Sequence, residues 1–178
     1  LISSIILREM AQKKFTFIGF YERRIRRIFP ALFVVLVSTT FAAWFILPPQ
    51  HLQTYAQSLV ATTAFLSNVF FWLKSGYFGG DAELFPLTHM WSLSVEEQYY
   101  VFFPLMAIVV AWGRRWLLDV TMGVALLVSL WLCIEYASRD QMTAFFLTPM
   151  RAWELLAGVF IAIHSEGWRR QLTKVRLA

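Results

Sequence analysis

Two short stretches hold most of the side chains able to do chemistry. The first is Glu22-Arg23-Arg24-Ile25-Arg26-Arg27-Ile28-Phe29-Pro30. Arg24 and Arg27 are three apart, so on a helix they project from one face and could jointly grip a phosphate or carboxylate through forked hydrogen bonds. A stop-transfer cluster that fixes topology and meets lipid head groups accounts for the same spacing and is its commoner source. The second stretch is His89-Met90-Trp91-Ser92-Leu93-Ser94-Val95-Glu96-Glu97-Gln98-Tyr99-Tyr100. Its ionisable side chains sit at the edge of an apolar run, where they are costly unless they pair or work. His89 suits general-base chemistry near neutral pH, although a lone histidine is more often a hydrogen-bonded structural residue. Glu96 could orient or deprotonate a histidine or a substrate hydroxyl. Ser94 and Glu97 fit a helix N-cap and its capping box, a purely structural role. A weaker feature, Thr148-Pro149-Met150-Arg151-Ala152-Trp153-Glu154-Leu155, places Arg151 and Glu154 at i and i+3, where an ion pair neutralising both is the simplest reading.

The elements that must position these residues are apolar blocks. Of 178 residues, 58% are hydrophobic and 15% charged, against about 25% charged in soluble domains. The apolar residues are gathered in long runs, which points to bilayer spans instead of one aqueous core. The net charge of +5 comes from clusters at the edges of those runs (Arg23 to Arg27, Arg114-Arg115, Arg169 to Arg176). That is the positive-inside pattern and not a nucleic-acid-binding face. The single cysteine, Cys133, lies in an apolar block and offers no disulfide, zinc cluster or dithiol.

The expected architecture is an all-α polytopic bundle with four to five membrane helices. The uncharged run from Pro30 to Leu47 predicts the first span, with Pro30 at a helix-starting position and Pro48-Pro49 ending it. Gln98 to Trp112, Trp116 to Cys133 and Phe145 to Ile163 predict three more. Residues 52–73 are interrupted by Gln53, Thr54, Gln57, Ser58, Thr62, Thr63, Ser67 and Asn68, and read as a polar-lined span, a re-entrant element or an interfacial helix. If they do not cross, all the basic clusters fall on one side, which the positive-inside rule favours. The stretch from Ser75 to Pro86, with Asp81 and Glu83, reads as a loop.

These residues, taken in order, resemble the acyltransferase-3 family, particularly its long members that carry an SGNH-type domain after the membrane part. Arg24-Ile25-Arg26-Arg27-Ile28-Phe29-Pro30 is similar to the family's paired-arginine motif. Tyr77-Phe78 through Asp81 is similar to the loop before its signature, and Pro86 through Tyr100 to the signature itself. Arg151 to Leu155 is a further match. The resemblance implies a multi-pass protein of the bacterial inner membrane that moves an acyl group, commonly acetyl from a cytoplasmic acyl-CoA, to hydroxyls of envelope glycans such as lipopolysaccharide O-antigen or peptidoglycan. It implies donor contacts from Arg24 and Arg27, a transfer site including His89, Ser92 and Glu96, and supporting roles for Asp81, Trp91, Glu97, Arg151 and Glu154. Membrane lipids and a C-terminal SGNH domain are the implied partners; no resident cofactor or metal and no nucleic acid are expected. The family's proposed catalytic histidine lies in its first membrane helix. Residues 1–178 are expected to be an internal part of that membrane domain, lacking this helix and the C-terminal portion, and so inactive alone. From residue chemistry alone, a transporter-like subunit lined by Arg, Glu and His and a non-catalytic lipid-binding scaffold are the competing readings.

Overall fold

A computed structural model describes residues 9, 15–75, 85–111 and 115–175. Among the described residues the regular elements are all helices: α1 (Phe17–Ile46), α2 (Pro49–Thr63), α3 (Ser67–Ser75), α4 (Met90–Ala111), α5 (Arg115–Arg139), α6 (Gln141–Phe146) and α7 (Thr148–Val175). Three stretches among them, Phe17–Ile46, Asp119–Arg139 and Gln141–Ile161, are long and apolar enough to cross a membrane. Among the described residues the count is three, below the expected four to five, and two segments account for the difference. Residues 52–73 break into α2 and α3, of 15 and 9 residues, each short of the ~20 that a span requires. Helix α4 starts at Met90 instead of Gln98, so Glu96, Glu97 and Gln98 lie on the helix itself and its apolar part begins only at Val101.

Proline placement was read correctly at one end of α1 and wrongly at the other. The helix starts at Phe17, and Pro30 lies inside it instead of opening it. Proline lacks the N–H that would bond four residues back, but helices surrounded by lipid or protein tolerate that loss. At the far end, Leu47 is extended, as the residue before a proline must be. Pro49 then opens α2 at a position where no N–H is needed.

The break between α2 and α3 is a Schellman turn. The Phe65 amide donates to the Thr62 carbonyl at 3.1 Å and the Leu66 amide to the Ala61 carbonyl at 2.8 Å, the paired bonds that define the motif. The turn residue has φ 54°, a conformation usually left to glycine. For phenylalanine it costs about 1–2 kcal/mol. Gln98 on α4 helps to hold it, its Nε2 donating to the Phe65 carbonyl at 2.9 Å.

Two apolar clusters order the bundle. One joins Phe20 of α1, Tyr99 of α4, Met122 of α5 and Leu156 and Val159 of α7. The other joins Leu32, Leu36 and Ala43 of α1 to Tyr55 of α2, Phe71 of α3, Leu87 before α4 and Phe146 of α6. Along α1 the first cluster precedes the second, whereas along α4 the order is reversed. The two helices therefore pack antiparallel where they meet, and the residues between the clusters, Arg24 on α1 and Glu97 on α4, are set opposite each other.

Candidate active site

Arg24 and Glu97 form a buried ion pair. Arg24 Nε lies 2.9 Å from both carboxylate oxygens, and Nη2 lies 2.6 Å from Oε1. The side chains are only 9% and 13% exposed, so each charge depends on the other for solvation. The guanidinium also stacks 3.6 Å from the Tyr100 ring centroid, a cation–π contact that favours arginine over lysine. Tyr21 ties the same two helices together, its hydroxyl donating to the Tyr100 carbonyl at 3.2 Å.

The other arginines of the cluster divide by partner. Arg23 pairs with Glu9 at 2.9 Å and Arg26 with Glu22 at 2.7 Å, both on the surface. Arg27 is exposed and has no carboxylate partner among the described residues. Arg24 and Arg27 therefore do not present equivalent groups to one anion: one is committed to Glu97, and the other is open.

The signature residues separate onto two faces of α4. Ser94, Val95 and Tyr99 are buried, whereas His89, Ser92 and Glu96 are exposed at successive i+3 and i+4 positions. The capping box expected of Ser94 and Glu97 does not form, because the helix has already started at Met90. Ser94 Oγ instead meets Ser67 Oγ at 2.7 Å and accepts from the Ser67 amide at 3.3 Å, while Glu97 holds Arg24. On the open face, the Ser92 hydroxyl donates to the His89 carbonyl at 3.2 Å. No hydrogen bond joins His89 to Glu96 among the described residues, so the pair is not an assembled base and orienting group.

Behind α4 lies a buried amide clamp that the sequence reading did not single out as a site. Gln98 Nε2 donates to Asn68 Oδ1 at 2.9 Å. Asn68 Nδ2 donates to the Phe146 carbonyl at 3.2 Å and Thr148 Oγ1 at 3.3 Å, and the Thr148 hydroxyl bonds Gln98 Oε1. Asn68 is 1% exposed, and the clamp fastens α3, α4 and the α6–α7 junction. Its sequence signal was the run of polar residues within 52–73, whose spacing alone does not name their partners.

Trp91 and the Arg151–Glu154 pair meet at one place. Arg151 Nη1 lies 2.6 Å from Glu154 Oε1, the ion pair read from the spacing, and its guanidinium sits 5.2 Å from the Trp91 ring centroid and 4.9 Å from that of Phe145. The Arg151 Nε donates to the Phe145 carbonyl at 3.2 Å. Asp81, like Tyr77 and Phe78, lies outside the described residues.

A cavity of about 330 Å³ opens beside the Arg24–Glu97 pair, between α1, the α2–α3 turn and the first half of α4. Arg24, Glu97, Gln98 and Tyr21 bring polar groups to it, and Ile28, Ala64 and Val101 are among its apolar walls.

The chain has recognisable relatives. A family described as an acyltransferase domain, Acyl_transf_3, matches residues 3–178. An uncharacterised protein of Haemophilus influenzae is 34% identical over 98% of this chain and 74% of its own length. The peptidoglycan O-acetyltransferase OatA of Listeria monocytogenes is 31% identical over 80% of this chain. The chain thus spans about three quarters of the first relative, while the match to the second covers 24% of that protein's length. No solved structure matches. With its helical architecture and the match across nearly all of its length, the chain belongs to the acyltransferase-3 family.

Proposed function

We propose that this chain is the membrane-embedded part of an O-acyltransferase that takes an acyl group, acetyl in the simplest case, from a cytoplasmic acyl-CoA and delivers it to hydroxyls of cell-envelope glycans at a bacterial inner membrane. The observation that carries the reading is the Arg24–Glu97 pair, which joins the two chemistry-bearing stretches across 73 positions of sequence and leaves Arg27 open. Arg27 supplies a planar fork for an anionic donor; Arg24 is a positioning residue fixed by Glu97.

The chemistry is acyl transfer. A glycan hydroxyl oxygen attacks the thioester carbonyl carbon, forming a C–O bond; the C–S bond breaks, and a general base takes the hydroxyl proton, which finally resides on the released thiol. Glu96, exposed on α4, and His89, exposed in the turn just before it, are the signature groups assigned to take that proton, each acting alone or with another group. The relative named a peptidoglycan O-acetyltransferase supports a glycan acceptor.

Arg27→Lys and Glu96→Gln in the intact protein test the assignment, because both side chains are exposed and their replacement leaves the packing unchanged. Each is expected to abolish envelope glycan acylation, read by mass spectrometry of the glycans, with normal amounts of protein in the membrane. Unchanged acylation in both variants would remove the site assignment. A transporter or lipid-binding scaffold predicts that labelled acetyl never becomes covalently attached to glycan.

A further inference from the structure

The ion pair accounts for the polar end of the Arg24 cavity but not for its apolar body. At about 330 Å³ it is far larger than the roughly 10–15 Å³ that admits a single water. Ile28 and Val101 wall it from α1 and α4, and Ala64 and Phe65 from the Schellman turn. The charged group beside it, Arg24, is nine-tenths buried. A cavity with the Arg24–Glu97 ion pair at one end and an apolar body of this size suits a short hydrocarbon chain attached to a polar group. The wall itself carries a second signal. Phe65 is held at φ 54°, and the Gln98 side chain pins its carbonyl. Backbone strain fixed by its surroundings gathers at ligand clamps, and here it lies on the cavity wall.

We propose that this cavity receives the acyl chain of the donor thioester, and that Ala64 of the α2–α3 turn and Val101 of α4, both in its lining, set the length of chain it admits. The inference rests on the acyltransferase reading above and adds to it a determinant of acyl specificity. Ala64 is small and exposed at the end of α2, so a larger side chain there projects into the cavity at little cost to packing. Val101 is 44% exposed and also lines the cavity, so a larger side chain there narrows it from α4.

The test uses the full-length protein in detergent micelles, with binding of acetyl-, butanoyl- and hexanoyl-CoA measured by competition against radiolabelled acetyl-CoA. Ala64→Phe and Val101→Phe are each expected to weaken hexanoyl-CoA at least tenfold relative to acetyl-CoA, compared with wild type, while acetyl-CoA affinity changes less than threefold. Two variants on different elements keep the test meaningful if one of them fails to fold. A chain-length profile identical to wild type in a folded variant overturns the pocket and leaves the acyltransferase reading standing. A wild-type protein that binds none of the three thioesters overturns both.

Discussion

Removing one member of the Arg24–Glu97 pair should be far more damaging than removing both. With side chains 9% and 13% exposed, each charge loses most of its compensating interaction when its partner is removed. Breaking such a pair costs about 3–5 kcal/mol, whereas replacing both members with apolar residues of similar volume is close to neutral or stabilising. At roughly 2–4 °C per kcal/mol for a chain of this size, Arg24→Met and Glu97→Leu should each lower the melting temperature by about 6–20 °C. The double variant should recover most of that loss. The assay is thermal unfolding of the full-length protein in detergent, followed by tryptophan fluorescence. The double variant also separates structure from chemistry: it should fold and yet transfer no acyl group, because the fixed guanidinium is gone. Single variants that melt within about 2 °C of wild type, or a double variant no more stable than the worse single, would refute the claim that each charge depends on the other.

Further outcomes follow from the contacts around the pair. Asn68→Ala deletes the centre of the clamp between α3, α4 and the α6–α7 junction and should cost about 1–3 kcal/mol through unsatisfied buried partners, seen in the same melts. Ser94→Ala strands the Ser67 hydroxyl and amide and should destabilise by a comparable amount, whereas Ser92→Ala, at an exposed position, should leave the melting temperature unchanged. Asp140 caps α6: the Thr143 hydroxyl and amide, with the Met142 amide, hold its carboxyl below the ordinary value of 3.8. Because the folded value is depressed, the stabilisation is complete above the ordinary value and is lost as the pH falls from there through the folded one. Asp140→Asn should therefore show a shallower fall in melting temperature below pH 4 than wild type.

The chemistry-bearing residues were legible because they depart from their surroundings: arginines, carboxylates and a histidine stand out beside apolar runs. Their grouping was not legible. Arg24 and Arg27 share a spacing that suggests a joint grip, yet the register of α1 against α4 buries one and exposes the other. Ser94 and Glu97 match a capping box in sequence, but a capping box needs a helix start, and α4 had begun four residues before Ser94. The break at Phe65 carries no glycine to announce it; Gln98, 33 positions away, helps to hold a conformation that local preference disfavours.

Composition and patterning determined on their own that the chain is helical and rich in segments suited to lipid, because the apolar length of a span is written in consecutive residues. They also marked the two stretches that carry its chemistry. Only the tertiary structure decided that Glu97 belongs to Arg24, that His89, Ser92 and Glu96 share an open face, and that a cavity lies beside the ion pair. Those facts depend on which sides of distant helices meet, and contacts across tens of residues are set by packing register, which no local spacing encodes.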